Sequence, residues 1–108
     1  MDKVYKYKNE LIEYLSSFER DLQVNINEYT KDNNWIEIKL DKPIKNINKI
    51  IIFAWTKYII RLYDNDDKDV EYNEWYSNFV CNIVETKEDV LKEVCSIISP
   101  DLIPHLFV

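Results

Sequence analysis

The chain has 108 residues, 46% hydrophobic and 31% charged, a balance that belongs to folded proteins and suits one α+β domain spanning 1–108. Twenty acidic against fourteen basic residues give a net charge of −6, which disfavours direct nucleic-acid binding because phosphate contacts need clustered Lys and Arg. Glycine is absent, and with it the Gly-rich phosphate loops, dinucleotide fingerprints and nucleophile elbows whose backbones rely on it.

The first element is helical. Val4, Tyr7, Leu11, Tyr14, Leu15 and Phe18 recur at helical spacing with Lys6, Lys8, Glu10, Glu13 and Ser17 opposite, which predicts an amphipathic helix over 3–19 with Asp2 as N-cap. The opening stretch lacks the apolar core and small-residue cleavage site of a secretory signal, so a cytoplasmic protein is expected. The period then changes to two. Leu22, Val24 and Ile26 alternate with Gln23, Asn25 and Asn27, and Ile36, Ile38 and Leu40 alternate with Trp35, Glu37, Lys39 and Asp41. These are two half-buried strands joined by TKDNN (30–34). Without glycine, left-handed turn positions are expected to fall to Asn and Asp.

The run IIIFAWTKYIIRLY (50–63) is broken by Lys57 and Arg61 and is shorter than the roughly 20 residues of a membrane span. A helix with Ile47, Ile51, Ala54, Tyr58 and Leu62 on one face is one reading; the density of Ile, Phe, Trp and Tyr favours strands. One extended strand over 50–64 would reach about 50 Å, too long for a domain of this size. A bend at Thr56 and Lys57 therefore separates strands near 48–55 and 58–64. The acidic knot DNDDKD (64–69) fails as a calcium loop: counted from Asp64, Lys68, Asp69 and Trp75 fall where a ligand, a glycine and a closing glutamate belong. It reads as a solvated loop before a helix.

That helix is predicted from Tyr72, Trp75, Tyr76, Phe79, Val80, Ile83 and Val84 at the i, i+3, i+4, i+7 rhythm, with a strand over 76–84 as the alternative because Asn and Ser are mediocre helix formers. Thr86, with Asp89 three residues on, opens a last helix that buries Val90, Leu91, Val94, Ile97 and Ile98 and ends before Pro100 and Pro104. The apolar tail HLFV is expected to dock on the core. The expected fold is α+β: an N-terminal helix, an antiparallel four-stranded meander and two C-terminal helices packed on one face of the sheet.

Cys81, Cys95 and His105 have neither the paired spacings of a zinc site nor the electropositive setting of a reactive thiol. No metal, cofactor or catalytic residue is expected, and the protein is not expected to be an enzyme. If the meander turns its aliphatic residues toward the helices, Tyr29, Trp35, Glu37 and Lys39 point away from them, and Arg61 and Tyr63 join if Tyr58, Ile60 and Leu62 face inward. Aromatics and arginine among carboxylates form the composition of interface hot spots. The plainer reading is that Tyr29 and Trp35 pair across their hairpin. Asp64, Asp66, Asp67, Asp69, Glu71 and Glu74 complete the candidate binding surface as an acidic patch.

This small, acidic, glycine-free, Tyr- and Trp-rich chain resembles the immunity proteins of bacterial polymorphic toxin systems. The resemblance covers the whole chain through size, charge and texture; no segment carries a diagnostic family motif, and no family residue is transferred. It implies a compact α+β domain that binds and blocks a toxin. The acids would steer a basic toxin domain, and Trp35 or Tyr63 would anchor it. Two further readings remain open: a phage or mobile-element inhibitor that mimics nucleic acid through an acidic stripe, and a domain that homodimerises through a strand edge.

Overall fold

The computed structural model describes residues 6–29, 31–45, 47–64, 69–70, 81–99 and 101. Helix α1 (Lys6–Ser16) buries Leu11 and Leu15 completely, one turn apart on its inner face. It ends earlier than residue 19, where Ser17 Oγ and the Phe18 N–H donate back to the Tyr14 and Leu15 carbonyls. Phe18 leads into a single helical turn, α2 (Glu19–Leu22). Leu22 therefore closes α2 and does not open a strand. Gln23 follows at φ 57°, donating its N–H to the carbonyls of Arg20 and Glu19, and strand β1 (Val24–Glu28) starts only after this left-handed cap.

Lys8 also departs from its expected place on the solvent face. It is only 2% exposed, and its Nζ donates to Glu28 Oε2 and to the Lys31 carbonyl, each at 3.3 Å. The hairpin after β1 folds over the flank of α1, so a nominally polar helix position becomes interior.

β1, β2 (Trp35–Ile44), β3 (Ile47–Ala54) and β4 (Tyr58–Tyr63) form an antiparallel meander in that spatial order. The register aligns Ile26, Ile38, Ile50 and Leu62 in one row and Glu28, Ile36, Ile52 and Ile60 in the next. The apolar run is thus a hairpin: Ala54 faces Tyr58, and Trp55, Thr56 and Lys57 make the connection, with the Trp55 N–H donating to the Lys57 carbonyl at 3.0 Å. Register shifts between Lys39 and Ile44, and Pro43 lies in this interruption, where its missing N–H costs no ladder bond.

Two short segments extend the sheet beyond the expected four strands. β5 (Asp69–Val70) and β6 (Cys81–Val84) both pair antiparallel with β4, and Val70 opposite Leu62 is the register neighbour of Cys81 opposite Arg61. They share one strand position. The helix expected over 72–84 is therefore corrected to a strand at 81–84; residues 71–80 lie outside the described set. Side-chain rhythm favoured a helix there, but pairing satisfies the backbone groups along the second edge of β4.

α3 (Lys87–Ile98) begins as expected, with Thr86 extended at the N-cap and its Oγ1 accepting the Asp89 N–H at 3.0 Å. It is the one C-terminal α-helix among the described residues, where two were expected. Val90, Leu91, Val94 and Cys95 are buried on it, and it packs against β4 and α1 while α1 lies across β1 to β3. Both helices share one cluster with the inner row residues of the sheet. No helix among the described residues is long and apolar enough to cross a membrane.

Among the described residues the left-handed positions are Gln23 and, at φ 47°, Lys45, neither of them the Asn or Asp expected from composition. A helix end and a strand turn dictated them, whatever residue stood there. Replacing Gln23 by glycine should raise stability by about 0.5–1 kcal/mol, because relief of the Cβ clash outweighs the extra backbone entropy lost; urea unfolding would measure it. Glu28→Gln should cost about 1–2 kcal/mol, since it removes a carboxylate that accepts from the buried Lys8 Nζ; urea unfolding would measure this as well.

Candidate functional site on the outer sheet face

With the aliphatic rows facing the helices, alternation places a second grid of side chains on the other face. Register sets Tyr29, Trp35, Phe53, Ile59 and Ile83 side by side across the strands, then Asn27, Glu37, Ile51 and Arg61, then Asn25, Lys39, Lys49 and Tyr63. Among the described residues, the helices pack on the opposite face only. Ile83 is 57% exposed and Tyr29 49% exposed.

At the centre of this grid Ile51 is only 4% exposed, although it points away from the helices. Longer neighbours roof it. The Trp35 and Phe53 rings meet with centroids 4.9 Å apart at 55°, so the ring against Trp35 comes from β3, while Tyr29 and Trp35 share a backbone bond, Tyr29 N–H to Trp35 C=O at 3.0 Å. Lys49 reaches diagonally across β2. Its Nζ lies 3.9 Å from Glu37 Oε2 and 5.8 Å from the centre of the Tyr29 ring. The Arg61 guanidinium carbon lies 6.0 Å from the Tyr63 ring centre. Tyr29, Asn33, Trp35, Lys49, Arg61 and Tyr63 line a concave cup of about 240 Å³ floored by Ile51.

Of the residues nominated from sequence, Tyr29, Trp35, Arg61 and Tyr63 line this cup, and Glu37 contacts it through Lys49. Asp64 follows β4 and is partly buried, and Asp69 pairs through its backbone with Tyr63. Asp66, Asp67, Glu71 and Glu74, with the side chain of Asp69, lie outside the described residues. Sequence reasoning passed over Lys49, Ile51 and Phe53, because an almost continuous apolar run conceals which residues share a face. The signal was Lys49 itself, whose parity places 49, 51 and 53 together.

Asn33 belongs to the cup because the hairpin loop is organised by its side chain: Oδ1 accepts the Trp35 N–H at 2.9 Å. Among the described residues no three His, Cys, Asp or Glu side chains gather as a metal site. What the cup combines is aromatic surface, one aliphatic floor and two cations, an arrangement suited to binding.

Comparison with protein-family models, with curated proteins and with solved structures gives no match to this chain.

Away from the cup, the buried Cys95 and Tyr58 and the partly buried Tyr14 are held protonated. Burial pushes the Cys95 thiol from an ordinary 9.0 up to about 11. Desolvation raises Tyr14, assisted by the negative fields of Glu88 and Cys95, and raises Tyr58, assisted by Glu10, Glu88 and Tyr7. The folded chain thus keeps protons that the unfolded chain releases, so stability should be unaffected by these groups below pH 9 and fall as pH rises toward 11. Thermal melts across that range would show the decline, with a shallower slope in Cys95→Ala. Native Cys95 should also resist thiol reagents at pH 8 and react on unfolding.

Proposed function

We propose that this protein is a binding protein that presents its outer sheet face to another protein, and that the partner is a toxin domain which it neutralises as an immunity protein. The observation that carries the reading is the composition of that face: three aromatics, an aliphatic floor and a partly buried arginine gathered on a surface that the described helices leave open. Tyr, Trp and Arg are the residues that concentrate binding energy at protein interfaces.

The sheet edges are poorer candidates. On β1 the Ile26 N–H donates to Glu19 Oε2 at 2.9 Å, and on β6 the Ile83 N–H donates to Asn82 Oδ1 at 3.0 Å. A side-chain oxygen therefore fills an amide on each outermost strand, which discourages strand addition by a second copy. A nucleic-acid mimic would want uninterrupted acid, and Lys49 and Arg61 break the face at its middle. The net charge of −6 instead suits long-range steering of a basic protein, with the cup as the close-range docking element.

Co-expression with a toxin domain encoded beside it should give growth rescue and a stoichiometric complex. Trp35→Ala and Arg61→Ala should each weaken that complex by about 2 kcal/mol, read by calorimetry. Raising salt should slow association more than it speeds dissociation. A complex that forms but is indifferent to every substitution on the outer face would sink the assignment of this surface.

A further inference from the structure

We infer that Lys8 is a positioning residue for the outer face: from beneath the sheet it anchors the hairpin between β1 and β2, and so sets where Tyr29, Asn33 and Trp35 stand in the cup. This rests on the reading of that face as a protein-binding surface and names what shapes it.

Lys8 lies on α1, across the sheet from the cup, and is buried. Its Nζ donates to Glu28 Oε2, at the end of β1, and to the Lys31 carbonyl, in the loop beyond, each at 3.3 Å. These two acceptors flank Tyr29 in sequence. One ammonium, with its three donors, therefore grips the chain on both sides of that residue. Glu28 stands in the inner row with Ile36, Ile52 and Ile60, whereas its neighbour Tyr29 takes the outer face by alternation. A hold on Glu28 from within thus fixes the height and direction of the Tyr29 ring outside.

Further bonds carry that hold across the hairpin. The Tyr29 N–H donates to the Trp35 carbonyl at 3.0 Å, the Trp35 N–H to Asn33 Oδ1 at 2.9 Å, and the Ala54 N–H to the Asn34 carbonyl at 2.9 Å, which fastens the loop to β3. Tyr29, Asn33 and Trp35 all belong to this network and all line the cup. Core register fixes which face each strand residue takes, but not the course of the loop beyond Glu28 and Ile36. Burying an ammonium is costly and is repaid only by well-placed bonds, so a lysine at an interior helix position is better explained by the place it gives the hairpin than by stability it adds.

The test measures backbone order parameters by NMR relaxation on the isotope-labelled full chain. Lys8→Met should lower those of Tyr29, Lys31 and Asn33 from about 0.85 toward about 0.6 while Ile38 and Ile50 stay rigid, and should move the Trp35 indole N–H resonance. Glu28→Ala should loosen the hairpin less, because the bond to the Lys31 carbonyl remains, and Glu28→Gln least, because it keeps an acceptor oxygen. The Lys8→Met, Glu28→Ala double variant should match Lys8→Met alone. A bond that served only global stability would lower the unfolding midpoint and leave the native order parameters in place; that outcome overturns the inference, as does loosening that adds in the double variant. Should Lys8→Met fail to fold, Glu28→Ala and Glu28→Gln carry the comparison. In the toxin-domain complex, Lys8→Met, which replaces no atom of the cup, should weaken binding roughly fivefold, the cost of ordering a freed side chain. A loosened hairpin with unchanged affinity would overturn the interface reading alone, since the order parameters are measured without a partner.

Discussion

Ile36, Ile38, Ile50, Ile52, Ile60 and Leu62, all fully buried, stand in two rows across three adjacent strands and meet Leu11, Leu15, Val90 and Val94 from the helices. Each contributes roughly 1.5–3 kcal/mol through burial, and a slip of one residue in any strand would turn its whole share toward water. Register is therefore held by the core. The composition of the opposite face follows, because every residue committed to one side of a pleated strand fixes its neighbours on the other. Trp35, Ile51, Phe53 and Arg61 come together as the complement of the aliphatic rows.

The remaining features organise around that sheet. Its fifth position is filled by two short segments, β5 and β6, which complete the pairing of β4 where a helix could not. Polar oxygens from Glu19 and Asn82 then occupy outward amides at the two sides. The inner face and the margins thus hold the sheet together, while the outer face packs its aromatic residues over Ile51.

On the proposed reading, the excess of carboxylates steers a basic partner out to about the Debye length, near 8–10 Å in physiological salt. The aromatic residues of the outer sheet face would then make the close contacts.

Much of the architecture was legible in order. Period-two alternation at Val24 to Ile26 and Ile36 to Leu40, the length limit that broke 50–63 into a hairpin, and the Thr86 cap are local properties, written in neighbouring residues and expressed wherever the chain folds. Tyr29, Trp35, Arg61 and Tyr63 could be nominated as companions because strand parity is also local. Other features depended on residues distant in sequence. Lys8 became interior because Glu28 and Lys31 close over it, residues 81–84 became a strand because β4 had a side to fill, and Lys49 joined the cup because β3 lies against β2. Neither burial, backbone pairing nor the sign of a local field is a property of a segment alone; each is set by what the fold brings within a few ångströms, and only the tertiary structure decides that.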